Sequence, residues 1–211
     1  MIFGSQDYLF NLEKRKGLKW AEFTKLAMHK FISCDWGTSN LRLRLVDRDS
    51  RSVLKEIESG EGIASVHQSW KNQSPGADRY VYYLSVLKKY IDQWKEEERS
   101  MLDNIPLVVS GMASSSIGIL ELAYAPMPMR ADGSELLVKK TESAIEVPFP
   151  VFIVSGACTS VDVMRGEETL LAGCDTLPGK TELFLFPGTH SKHVLVTDGV
   201  AMSIDTYMTG E

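Results

Sequence analysis

Phe31-Ile32-Ser33-Cys34-Asp35-Trp36-Gly37-Thr38-Ser39-Asn40-Leu41-Arg42-Leu43-Arg44-Leu45 joins an apolar strand, a polar turn and a strand of strict alternation. Leu41, Leu43 and Leu45 fall on one face and Arg42 and Arg44 on the other, the period of a half-buried strand. The turn collects what a phosphate and a hydrated cation need. Gly37 lets the backbone approach closely, Thr38 and Ser39 offer hydroxyl and N–H donors, and Asp35 can hold Mg2+ directly or through water. The same residues suit a plain Asx-type hairpin turn, so the turn alone leaves both readings open.

Three further apolar runs stop at glycine: Leu107-Val108-Val109-Ser110-Gly111, Phe152-Ile153-Val154-Ser155-Gly156, and Leu183-Phe184-Leu185-Phe186-Pro187-Gly188. Each reads as a buried strand whose carboxyl end turns sharply, where ligands bind in open α/β sheets. Polar residues follow each run: Ser114 to Ser116, Thr159-Ser160, and Thr189-His190-Ser191-Lys192. Between the first hairpin and Leu107, the spacing of Val81, Leu84, Leu87 or Lys88, Ile91 and Trp94 predicts one helix from Asp78 to Met101. Its run Glu96–Glu98 reads as a solvated face. Pro-rich loops are expected at 125–129 and 147–150.

The chain has 211 residues, 44% hydrophobic and 24% charged, an ordinary globular composition. A net charge of −5 without a dense basic cluster argues against nucleic-acid binding. No segment is long and apolar enough for a membrane-spanning helix. Cys34, Cys158 and Cys174 are odd in number and lack CxxC spacing, which suits buried thiols in a reducing cytoplasm. Residues 1–27 lack the features of a signal peptide and read as an extension upstream of Met28, or as an extra helix around Trp20–Ala27.

Thr176-Leu177-Pro178-Gly179-Lys180 is a turn-rich break after a predicted helix and marks an expected domain boundary. Beyond it the opening pattern returns: an apolar strand, the turn Pro187 to Ser191, a second strand and the turn Asp198-Gly199. The segment 181–211 then supplies about two strands and the start of a helix. The run Gly188 to Lys192 lacks the Gly-Lys-Ser/Thr ending of a Walker loop. His190 and His193 stand three apart in a strand, which turns their rings to opposite faces and argues against a metal pair.

Five blocks in order carry a family resemblance: Asp35 to Arg42; Gly111-Met112 with Ser115 and Gly118; Val163 to Thr169; Pro187 to Lys192; and Met208-Thr209-Gly210-Glu211. Together they resemble the sugar kinase–hexokinase–actin superfamily and, within it, the 2-dehydro-3-deoxygalactonokinase family. The resemblance runs from Met28 to the last residue. It implies an α/β, ribonuclease-H-like lobe over 28–178, a mixed sheet with flanking helices, and the truncated start of a second, nucleotide-binding lobe over 179–211. It implies ATP- and Mg2+-dependent phosphorylation of the sugar acid 2-dehydro-3-deoxy-D-galactonate at its 6-hydroxyl. Family members continue past Glu211, so little turnover is expected of this chain alone.

The resemblance places Gly37, Thr38, Ser39 and Asn40 in a first phosphate loop and Asp35 at the metal. Gly188, Thr189, His190 and Lys192 belong to a second loop facing it across a cleft. The stretch Gly166-Glu167-Glu168-Thr169 stands where related kinases carry their catalytic carboxylate, making Glu167 the expected base, with Asp162 the alternative. Glu in a first helical turn is also favoured by the helix dipole alone. Arg165 and Arg42 are the expected cations for the substrate carboxylate, and Ser114 and Ser115 the expected partners of sugar hydroxyls. Ser114, Ile119 and His193 depart from the common family residues. Two other functions stay open: a non-enzymatic sugar-acid-binding or interaction fragment, and a kinase for a different sugar acid.

Overall fold

A computed structural model describes residues 29–73, 76–102, 105–141 and 150–209. The expectations for 1–27, for most of the loop at 147–150, and for Gly210 and Glu211 lie outside the described residues. The strands are β1 (Lys30–Trp36), β2 (Leu41–Asp47), β3 (Ser52–Ser59), β4 (Leu107–Gly111), β5 (Ala125–Pro126), β6 (Met129–Arg130) and β7 (Val138–Thr141). They continue with β8 (Val151–Val154), β9 (Ala157–Cys158), β10 (Val163–Met164), β11 (Thr181–Phe186), β12 (His190–Thr197) and β13 (Val200–Met208). The helices are α1 (Ile63–Gln73), α2 (Arg79–Ile91), α3 (Glu96–Arg99) and α4 (Glu167–Ala172).

The described residues divide into two compact units, one of 29–122 with 138–154, the other of 123–137 with 155–209. The division therefore does not fall at the expected boundary near 178. Residues 123–137 and 155–178 group with the C-terminal strands.

The first unit is built on a six-stranded sheet of order β3-β2-β1-β4-β8-β7. β1, β2 and β3 form an antiparallel meander, and β4 and β8 add in parallel on the other side of β1. This is the ribonuclease-H-like arrangement of a mixed sheet. The alternation in β2 decides its facing: Leu41, Leu43 and Leu45 are buried, while Arg42 and Arg44 pair with Glu58 and Glu56 of β3 on the other face. Each fully buried leucine contributes about 1.5–3 kcal/mol relative to exposure. Ile63 and Val66 of α1 join the same core, as do Tyr83, Leu84, Leu87, Tyr90 and Ile91 of α2.

The single helix expected over Asp78–Met101 is corrected to two. Asp78 caps α2 by accepting a hydrogen bond from the Val81 N–H, 3.1 Å. The helix ends at Ile91, where the Trp94 N–H donates to the Ile91 carbonyl and tightens the chain into a three-residue turn. That turn drives the Trp94 indole into the core, 1% exposed. Helical spacing from Ile91 to Trp94 thus continues across a break. Val81, counted on the apolar stripe, is 39% exposed, because the tyrosines rotate the buried face.

The second unit contains a three-stranded sheet, β10-β9-β5, and a four-stranded sheet, β11-β12-β13-β6. β11, β12 and β13 repeat the antiparallel meander that opens the first unit. Two expectations are corrected here. The segment expected to begin a helix is instead strand β13, paired with β12 across the Asp198-Gly199 turn, whose residues both have positive φ, +50° and +73°. The run 183–186 is not a buried strand. It lies at the sheet edge, with Leu183 57% and Leu185 56% exposed on one face and Phe184 and Phe186 half-buried on the other.

Among the described residues no helix is long and apolar enough to cross a membrane. None of the three cysteines forms a disulfide, but only Cys34 is buried; Cys158 and Cys174 are half-buried, which corrects the expectation of three buried thiols.

Candidate functional site

Asp35 sits one residue from the carboxyl end of β1, in register with Arg42 of β2 and Ser110 of β4. Pleating turns it away from its buried neighbours Cys34 and Trp36, and its side chain is 40% exposed. Beyond it the Gly37 N–H donates to the Asn40 carbonyl, 2.8 Å, closing a tight turn that leaves Thr38, Ser39 and Asn40 exposed. The start of α1 braces this turn from behind. Ile63 and Ala64 N–H groups donate to the Gly37 and Thr38 carbonyls at 3.0 and 3.1 Å, and the Trp36 indole donates to the Glu61 carbonyl at 2.8 Å.

Two glycines make the bracing possible. A Cβ on Gly62 would stand 2.3 Å from the Thr38 oxygen, and one on Gly111 2.7 Å from the Trp36 oxygen. Gly111 also adopts φ +80°, a conformation side chains disfavour, and its bare Cα leaves space beside the Asp35 carboxylate. Gly62 was missed in the sequence, where the only signal is Gly60-Glu61-Gly62 ahead of a helical run.

Burial pushes the Asp35 carboxyl above its ordinary range, against the opposing pull of Arg42 and Arg44. Among the described residues no group of three or more metal-ligating side chains occurs. A single accessible carboxylate fits a hard cation whose other ligands are phosphate oxygens and water. Arg42 is committed to carboxylates: its Nε donates to Glu58 at 2.5 Å, and a terminal nitrogen lies 3.8 Å from Asp35. Ser114 and Ser115 are buried, their hydroxyls donating to the Gly111 and Met112 carbonyls at 3.5 and 2.7 Å. These serines hold a local turn in place.

In the second unit, α4 begins at Glu167 after Gly166, which has φ +115°. The two adjacent carboxylates diverge. Glu167 accepts the Arg165 N–H at 2.9 Å and is half-buried. Glu168 is fully buried and accepts the Gly166 N–H on both oxygens, 2.9 and 2.8 Å, and the Thr169 hydroxyl at 3.1 Å. Burial, reinforced by the neighbouring Glu167 charge, pushes Glu168 up to about 8.

Asp162 and Lys192 are brought together through Thr206, which sequence reading missed. The Lys192 ammonium, on a side chain 10% exposed, donates to the Thr206 hydroxyl at 2.6 Å. That hydroxyl donates to Asp162 at 2.8 Å, and Lys192 itself is 3.9 Å from the carboxylate. Burial alone would raise the Asp162 pKa. The bonds from Thr206 and the Val163 N–H, with the Lys192 charge, outweigh it and hold the group below its ordinary value.

The 188–191 turn is pinned by the Ser191 hydroxyl, which donates to the Gly188 carbonyl at 3.0 Å, and by Thr209, whose hydroxyl donates to the same carbonyl at 3.1 Å. Thr189 and His190 are exposed. His193 lies on the other face of β12, its ring centroid 4.4 Å from that of Tyr207. Arg165 lies 4.2 Å from the centre of the Tyr124 ring. The structure thus places Asp35 with the 37–40 turn in one unit, and in the other two separate pairs, Arg165 with Glu167 and Asp162 with Lys192 through Thr206.

The chain is similar to the 2-dehydro-3-deoxygalactonokinase of Escherichia coli (strain K12), 32% identical over 86% of this chain and 54% of that protein. It is 30% identical, with the same coverage, to a Rhizobium meliloti (strain 1021) protein named "probable 2-dehydro-3-deoxygalactonokinase". A crystal structure assigned to a 2-dehydro-3-deoxygalactonokinase protein from Sinorhizobium meliloti superposes with a TM-score of 0.65 at 27% identity, covering 85% of this chain and 54% of that one. The chain spans about half the length of the curated relatives it matches. The family model for 2-keto-3-deoxy-galactonokinase matches residues 35–211, starting at the aspartate of the first turn, and the chain belongs to that family.

Proposed function

We propose that the protein acts in ATP-dependent phosphorylation of 2-dehydro-3-deoxy-D-galactonate at its 6-hydroxyl. The observation that carries this reading is Asp35: an accessible carboxylate beside a braced, glycine-flanked turn at the carboxyl ends of two parallel strands. Phosphoryl transfer depends on positioning and charge neutralisation more than on covalent chemistry. Mg2+ supplies that neutralisation when bound, and Asp35 is the residue that fits it. Thr38, Ser39 and Asn40 offer exposed N–H and hydroxyl donors to phosphate oxygens, with Gly188, Thr189 and His190 in the corresponding role on the second turn.

Glu167 is the proposed base, orienting the sugar hydroxyl and accepting its proton. Asp162 suits that task less well, since a carboxylate held low by Thr206 and Lys192 is a weaker base. Arg165 receives the substrate carboxylate; Arg42 keeps Glu58 and Asp35 instead. We place this activity in the cytoplasm, and the net charge of −5 supports a small-molecule partner.

Calorimetric titration of the chain with the sugar acid, and separately with Mg2+-ATP, tests the reading. Binding of both is expected. Sugar-acid binding without nucleotide binding favours the non-enzymatic alternative. Binding of neither contradicts the proposal. Tight binding of another sugar acid in place of this one moves the assignment to a kinase of different specificity.

A further inference from the structure

Tyr124, Gly156 and Arg165 form one row across the three-stranded sheet. β5 pairs in parallel with β9, Ala125 opposite Ala157, and β9 pairs antiparallel with β10, Ala157 opposite Met164. One residue outward along each strand brings Tyr124, Gly156 and Arg165 side by side, with the Ala125 N–H bonded to the Gly156 carbonyl at 2.9 Å. The middle position has no side chain, and the tyrosine ring occupies the space. A Cβ on Gly156 would lie 2.5 Å from the Met164 carbonyl oxygen and 2.9 and 3.0 Å from two ring carbons of Tyr124. The ring reaches across the glycine strand and places its centre 4.2 Å from the Arg165 guanidinium carbon.

Guanidinium groups stack on aromatic faces and use their in-plane N–H groups for carboxylates. Stacking also removes rotamer freedom that a long side chain otherwise loses on binding. Glu167 fixes the same residue from its backbone side, by accepting the Arg165 N–H.

We propose that Tyr124 is a positioning residue: across the gap left by Gly156, its ring orients the Arg165 guanidinium to receive the carboxylate of a sugar acid. This rests on the proposed role of Arg165 as the carboxylate partner.

The test is the dissociation constant of 2-dehydro-3-deoxy-D-galactonate, measured by calorimetry beside that of its uncharged carboxamide. Tyr124→Leu keeps apolar bulk without the aromatic face. It is expected to weaken acid binding about 3- to 30-fold while leaving the carboxamide unchanged. Tyr124→Phe keeps the face and is expected to bind the acid within about 2-fold of the parent. Equal weakening of acid and carboxamide by Tyr124→Leu overturns the inference, as does unchanged acid affinity in a folded Tyr124→Leu protein. The reading beneath it has its own readout: if Arg165→Met leaves acid affinity intact, or the parent does not prefer acid over carboxamide, the role of Arg165 fails and this inference with it.

Discussion

Glu168 is a fully buried carboxyl beside a second acidic residue. Its folded value of about 8 lies above the ordinary 4.5. A raised acid pKa gives a contribution fully present below the unfolded value and lost as pH rises through the folded one. Urea unfolding is therefore expected to show stability falling between pH 5 and 8, by about 4 kcal/mol in total at 1.36 kcal/mol per unit. Glu168→Gln, which keeps an acceptor for Gly166, is expected to flatten that slope; parallel profiles for the two proteins contradict the assignment.

The glycines give a second prediction at this scale. Gly62→Ala and Gly111→Ala each push a methyl into the backbone of the first turn, at an expected cost of about 2–4 kcal/mol in denaturant titration. The tight turn from Gly37 to Asn40 was legible from residue chemistry alone. Gly62 and Thr206 were not, because their importance arises from segments distant in sequence. Nothing local in Thr206 marks it as the link between Lys192 and Asp162.

Strict alternation made β2 readable at the level of the element, and apolar runs ending in glycine located β4 and β8. The helix ahead of β4 was misread because the three-residue step from Ile91 to Trp94 fits a continuing helix and a tight turn equally well. The buried indole distinguishes the two. Trp94→Ala is expected to cost about 3–5 kcal/mol, whereas Val81→Ala, on the exposed side, is expected to change stability by less than about 0.5 kcal/mol. Comparable costs for the two in thermal unfolding contradict the described packing. β3 and α1 went unassigned because β3 is largely exposed and α1 presents few apolar residues; pairing with β2 and bracing of the first turn define them instead.

Across the whole molecule, motif order in the sequence identified the family, while the compact units followed spatial pairing that no linear boundary reveals. Residues 123–137 join the C-terminal strands because β6 pairs with β13 and β5 with β9. The edge strand β11 leaves Leu183 and Leu185 on an exposed apolar face. Such edges favour self-association. Replacing both leucines by serine is expected to lower association in sedimentation velocity while changing stability by less than about 1 kcal/mol. A large stability loss contradicts their exposure.

Asp35 and its turn are proposed to serve phosphoryl transfer to a sugar acid. Phosphorus NMR of the chain incubated with Mg2+-ATP and 2-dehydro-3-deoxy-D-galactonate tests it most directly. A phosphomonoester signal coupled to the C6 protons, slower to form than with the Escherichia coli relative and absent with Asp35→Asn, is the predicted result. An undiminished signal with folded Asp35→Asn, or no sugar phosphate from the parent chain at any protein concentration, contradicts it.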